Sequence, residues 1–165
     1  MAMSRKRSMK VNPSRSEFVV RQLNHLRQSG EKIAVVISSD ITGYHVFQFK
    51  PQVGRFFTLD CSREPSNDVG HVNAITVCRG PKMVGRVPRD LADIISPIID
   101  EGALELSAYF TGGSRNDGPS NGGPKLECVY VCQMNNVDAA RQLHDMIGGV
   151  AQSFVFGSEA VVPCW

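Results

Sequence analysis

The sequence predicts a mainly β, α+β protein: a small closed or partly open β-barrel of about six strands with two or three peripheral helices. Three observations lead there. Short runs of β-branched and aromatic residues recur through the middle of the chain, divided by Gly, Pro, Asn and Asp. Only three stretches carry apolar residues at helical spacing. The 165 residues suffice for one compact domain with short extensions, and strands this short bury best when their sheet curls on itself.

Residues 1–13 are basic and Ser-rich and are expected to be a disordered arm. Ser14 and Glu17 stand at capping-box spacing. Behind them Phe18, Val19, Leu23 and Leu26 make one apolar stripe and Gly30 a stop, so a helix is expected over 15–28 within an N-terminal unit of 14–30. The barrel domain is expected over 33–148. Its first strands are read at Ile33–Ser38, Tyr44–Phe49, Arg55–Leu59, Val72–Cys78 and Lys82–Val87, with a tight hairpin at Arg79-Gly80-Pro81. Pro88 can open a helix, and Leu91, Ile94, Ile95 and Ile98 continue it to about residue 100, with Pro97 set to bend or shorten it. Ala103–Phe110 alternates like a strand, and so does Lys125–Cys132. The Gly/Ser/Asn/Pro stretch 111–124 between them reads as a loop inserted in a long hairpin, or as a segment that closes over a ligand. A last helix is expected from 136 to 148, with Val137, Ala140, Leu143, Met146 and Ile147 on one face. Residues 149–165 form an apolar tail that either packs back on the core or meets a partner.

Charge divides the chain. Residues 1–32 hold eight Lys/Arg against two acids, a net +6, while 33–165 hold ten against fourteen, a net −4. A basic arm on a mildly acidic body suits an anionic partner or an import signal, and it equally suits a solvated tail. Arg5-Lys6-Arg7 with Lys10 is the kind of cluster that serves nuclear import, which gives a nuclear, otherwise cytoplasmic, expectation. The longest apolar run, Ile33–Ile37, is far short of the ~20 residues a membrane helix needs. No secretory core follows the basic cluster, so a soluble intracellular protein is expected and no membrane partner. Five cysteines without CxxC spacing and four scattered histidines point to reduced, mostly buried thiols and to no metal or cofactor. Cys128 and Cys132, four apart, would share one strand face. The nucleophile candidates Cys61, Cys78 and Ser62 lack a base and orienting acid at recognisable spacing, so no catalytic residue is assigned.

The most specific stretch is 59–93. Arg63-Glu64-Pro65 is followed by Asn73-Ala74-Ile75, then by Val84-Gly85-Arg86-Val87-Pro88-Arg89 running into Leu91-Ala92. This order resembles the HIRAN domain, where an R-E/D-P turn, an N-A-I strand, a V-G-x-x-P-R/K turn and an L-A helix succeed one another. Thr42-Gly43 before Tyr44–Phe49 is similar to the family's first strand, and the resemblance spans roughly 33–148. It implies an OB-like barrel that binds the 3′-terminal nucleotides of single-stranded DNA. Such modules precede SWI/SNF-type translocases or stand alone, and the absence of a G-x-x-x-x-G-K-S/T motif here suits the stand-alone form.

The resemblance implies base-stacking and phosphate-contacting roles for His45, Val46 and Phe47, recognition of the terminal nucleotide by Ser66, Asn67 and Asp68, and phosphate contacts from Arg86 and Arg89. This chain departs from the pattern in four ways. It has one extra residue between Pro65 and Asn73, His71 in place of an Asp, Val46 in place of an aromatic, and Gly122-Gly123-Pro124 where an aromatic is expected. Each assignment has a plainer counterpart. Tyr44, Phe47, Phe49, Phe56 and Phe57 also suit a barrel core, and His45 suits a half-exposed strand position. Arg63 suits a staple for its own turn through backbone carbonyls. Arg86 and Arg89 can pair with Asp90 or Asp93, and Asp100 and Glu101 sit at a helix end facing solvent. The rival to nucleic-acid binding is a protein-interaction module that docks a partner through Phe154, Val155, Phe156 and Trp165.

Overall fold

The computed structural model describes residues 33–43, 57–64, 72–116 and 124–157. Seven strands and two helices follow one another: β1 (Ile33–Thr42), β2 (Phe57–Arg63), β3 (Ile75–Arg79), β4 (Lys82–Arg86), α1 (Arg89–Asp100), β5 (Glu105–Asn116), β6 (Pro124–Met134), α2 (Val137–Ile147) and β7 (Gln152–Phe156). All pairings are antiparallel, in the order β4-β3-β2-β5-β6-β1-β7. An added contact between β4 and β1, at Arg86 opposite Thr42, closes the first six strands into a barrel, and β7 lies outside along β1. The expected six-strand barrel with peripheral helices is therefore the fold.

Closure depends on Gly85. A Cβ there would stand 2.5 Å from the Thr42 carbonyl oxygen and 2.7 Å from Ile41 Cγ2, so only a residue without a side chain lets β4 meet β1. Inside, Val35, Ile37 and Ile41 of β1 pack with Phe110 of β5 and with Leu126, Cys128, Tyr130 and Cys132 of β6. Cys128 and Cys132 share the inward face as their spacing requires. Leu91, Ala92 and Ile95 of α1, and Ala140, Leu143 and Ile147 of α2, belong to the same core.

Local chemistry sets the element ends. Arg79 and Lys82 face each other across Gly80-Pro81, with Gly80 at φ +60, a left-handed geometry that glycine adopts without penalty. In α1, Pro97 does not break the helix, which stops three residues later. Gly102 at φ +78 sends its N–H to Ile99 and Ala103 sends its own to Ile98, the Schellman closure. Asn136 caps α2 by accepting from the Ala139 N–H at 3.0 Å.

Several expected boundaries are corrected. β2 runs on to Arg63 rather than ending at Leu59, because Asp60–Arg63 pair with β3. β3 starts at Ile75, not Val72, because Val72 and Asn73 form a turn, with the Val72 carbonyl accepting from the Arg63 guanidinium. The expected loop over 111–124 is in part strand. β5 reaches Asn116 and β6 begins at Pro124, with a register shift between Phe110 and Ser114. Backbone ladders form there whatever the Gly/Ser side chains are. The apolar tail enters the sheet at Gln152–Phe156, packing back as one of its two readings allowed. The N-terminal helix expected over 15–28 and the strand expected at Tyr44–Phe49 lie outside the described residues. No helix among the described residues is long and apolar enough to cross a membrane.

Candidate nucleic-acid interface

The 59–93 motifs are brought together by one arginine at the end of β2. Arg63 donates from Nη1 to the Ala74 carbonyl at 2.9 Å and from Nη2 to the Val72 carbonyl at 3.0 Å. It also pairs with Asp100 at the end of α1, Nε to Oδ1 at 2.9 Å and Nη2 to Oδ2 at 3.1 Å. The expected staple is present, and it reaches further than its own turn. Asp100, expected to face solvent, pairs with Arg63. A carboxylate in the last turn opposes the helix dipole, and the guanidinium offsets that. Hydrogen bonding to Arg63 holds the Asp100 carboxyl below its ordinary range.

Around this staple the N-A-I segment is fastened to α1. Asn73 donates from Nδ2 to Asp93 Oδ1 at 3.1 Å, and the fully buried Ser96 hydroxyl donates to the Asn73 carbonyl at 2.6 Å. The Glu64 N–H donates to the Ala74 carbonyl at 3.0 Å. Glu64 and Asn73, on either side of the segment 65–71 in the chain, are thereby held, Glu64 to Ala74 ahead of β3 and Asn73 to the first helix. Asn67 and Asp68, with Ser66, belong to that segment and lie outside the described residues.

Arg86 closes β4 at the barrel seam. Its Nε lies 2.7 Å from Glu64 Oε1, and its carbonyl accepts from the Thr42 hydroxyl at 3.1 Å. Arg86 thus meets Glu64, which the β2-β3-β4 meander brings to it across β3 from 22 positions away in the chain. The pair is partly open, with the Arg86 side chain 46% and Glu64 24% exposed. Three residues therefore meet at the seam: Thr42, after which the chain runs through Gly43 (φ +75) toward His45 and Phe47; Glu64, after which it runs toward Asn67 and Asp68; and Arg86 itself. His45, Val46 and Phe47 lie outside the described residues. Arg89 is exposed at the first residue of α1, three positions from Arg86, with Pro88 as N-cap.

Sequence reasoning missed the Arg63–Asp100 and Glu64–Arg86 pairs, which join positions 37 and 22 apart with no periodic signal. It also missed a cleft of about 630 Å³ between the end of α2 and β7, where His144 Nδ1 lies 2.8 Å from Ser153 Oγ. Among the described residues no carboxylate hydrogen-bonds His144, so the pair lacks the orienting acid of a triad. Of the nucleophile candidates, Ser62 hydrogen-bonds Thr76 at 3.2 Å, and burial pushes the Cys61 thiol up, away from thiolate. No cluster of His, Cys, Asp or Glu fit to hold a metal occurs among the described residues.

The solved structure of the HIRAN domain of human HLTF shares this fold at TM-score 0.51 and 15% identity, covering 71% of this chain and 91% of that one. A second structure of the same domain, titled as its DNA-bound conformation, aligns at TM-score 0.47 and 16% identity over 69% of this chain and 86% of that one. No curated protein matches the chain by sequence. The HIRAN domain family matches residues 34–126, which runs from β1 through the seam and the Arg63 staple into β6 and covers more than half of the sequence, so the chain belongs to the HIRAN domain family.

Proposed function

We propose that this HIRAN domain is a non-enzymatic nucleic-acid-binding module that takes single-stranded DNA, and in particular DNA 3′ ends, at the barrel seam around Arg86. The observation that carries the reading is the meeting at that seam of the roots of both candidate recognition segments with Arg86. The HIRAN domain of human HLTF, a member of the same family, has a DNA-bound conformation. In this reading Phe47 stacks on the last base, with His45 beside it, for ~1–3 kcal/mol. Asn67 or Asp68 accepts from the terminal hydroxyl, Arg86 and Arg89 meet phosphates, and the arm at Arg5-Lys6-Arg7 adds salt-sensitive affinity and serves nuclear import.

Fluorescence anisotropy with short oligonucleotides tests it. A 3′-phosphate places charge against Asp68 and leaves an acceptor without its donor, costing about 1–3 kcal/mol, or ten- to a hundredfold in affinity. Equal affinity for 3′-hydroxyl and 3′-phosphate ends would remove end capture. Undetectable binding at low salt would remove nucleic-acid binding altogether. That second result favours the rival protein-interaction module, which the Glu64 partner of Arg86 and the net −4 of 33–165 support.

A further inference from the structure

β1 and β6 are buried on both faces. Their inward residues belong to the barrel core. Ala34, Val36, Val129 and Val131, with Tyr109 of β5, form a second apolar cluster on the opposite face of the sheet. Val131 is 0% and Val36 2% exposed, so this face is covered. The described side chains packed against it are Phe154 and Phe156 of β7, and β7 lies beside β1 in the same sheet rather than over it. The buried residues of α1 and α2 belong to the barrel core, so neither helix is the cover. A sheet face this dry needs a layer about 10 Å above it.

We propose that residues 15–28 are that layer, an amphipathic helix laying Phe18, Val19, Leu23 and Leu26 across Val36 and Val131. Reach and length select this segment. Ser29, Gly30, Glu31 and Lys32 separate its end from Ile33, and four residues span up to about 13 Å, enough for the step of about 10 Å from a sheet to a helix above it. Fourteen helical residues extend about 21 Å. The four strands β5-β6-β1-β7 span about 14 Å from first to last axis, so one such helix crosses the whole cluster. The polar side, with Glu17, Arg21, Asn24 and Gln28, faces solvent. Among other segments outside the described residues, 158–165 is eight residues long, interrupted by Pro163, and has no stripe, and 44–56 reads as a strand through Phe49 before Pro51 and Gly54 interrupt it, so it has no helical stripe either. Docking mounts the basic arm on the barrel instead of leaving it tethered by a free linker.

The test is a methyl NOE spectrum of the full chain. Cross-peaks are expected from the Leu23 and Leu26 methyls to those of Val36, Val129 and Val131. In Leu23→Asp they disappear and the outer valine resonances shift, while the core Leu91 and Leu143 methyls report that the barrel is intact. Arg21→Ala leaves all of them in place. Absence of cross-peaks in the unsubstituted chain overturns the proposal. So do cross-peaks from Val161 or Val162 instead, or cross-peaks seen only between differently labelled copies in a mixed sample.

Discussion

Arg63 does at one position what no single motif discloses: it ties β2, the N-A-I segment and the end of α1 through four hydrogen bonds. Its effect on Asp100 is measurable. The folded carboxyl is held below the ordinary ~3.9. The pair's contribution is therefore present above that value and is lost as pH falls through the lower folded midpoint. In Arg63→Met the Asp100 midpoint, read by carboxyl NMR, should rise toward ~3.9, and amide exchange over 72–74 should quicken as two carbonyl anchors vanish. An unmoved midpoint would show that the ion pair is absent in solution. Gly85 is the other decisive residue. Gly85→Ala forces β1 and β4 apart at contacts of 2.5 and 2.7 Å and should destabilise by about 1–3 kcal/mol in urea unfolding. A change under ~0.5 kcal/mol would mean that the seam is not closed there.

At the scale of elements, β7 shows what hydropathy leaves undecided. Phe154, Val155 and Phe156 read as an apolar tail for a partner or for the core. They take the second course as a strand, pairing with β1 from Ala34 to Val36 and placing Val155 in the barrel core and the two phenylalanines on the other face. Ending the chain after Ala151 should leave the barrel closed but strip the pairing from that stretch of β1. Amide exchange at 34–38 should then accelerate far more than at Val77 or Val129. Uniform acceleration would instead make β7 part of one cooperative unit with the barrel. The β5–β6 hairpin teaches the complementary lesson. Its arms enter a Gly/Ser stretch because ladder hydrogen bonds belong to the backbone, and a pattern read from side chains does not register them.

For the whole molecule, charge geography governs the predicted DNA response. Residues 1–32 carry the net +6, while the seam holds Arg86 already paired with Glu64. Salt sensitivity should therefore reside mainly in the arm. Removing residues 1–13 deletes Arg5, Lys6, Arg7 and Lys10. The slope of log affinity against log salt should become shallower by up to ~3, at ~0.7 per phosphate contact on a single strand. Glu64→Gln removes the carboxylate charge beside the Arg86 guanidinium and should tighten binding at low salt, severalfold at most for a partly exposed pair. Loss of binding in that variant would mean that Glu64 positions Arg86 rather than competes for it.

What the sequence determined by itself is the architecture's grammar. The strand punctuation, the Gly80-Pro81 turn, the Schellman glycine after α1 and the inward pair Cys128 and Cys132 are all local, and each is set by backbone freedom or by a two-residue or 3.6-residue period. The ordered motifs also pointed to the family. Only the tertiary structure decided which residues meet. That Asp100 answers Arg63 and that Glu64 takes Arg86 follow from the β2-β3-β4 meander and the helix after it, and that Gly85 admits Thr42 follows from closing the sheet on itself. Tertiary folding joins positions 22 to 44 apart, and neither charge nor hydropathy along a chain encodes which of many acids a given arginine will reach.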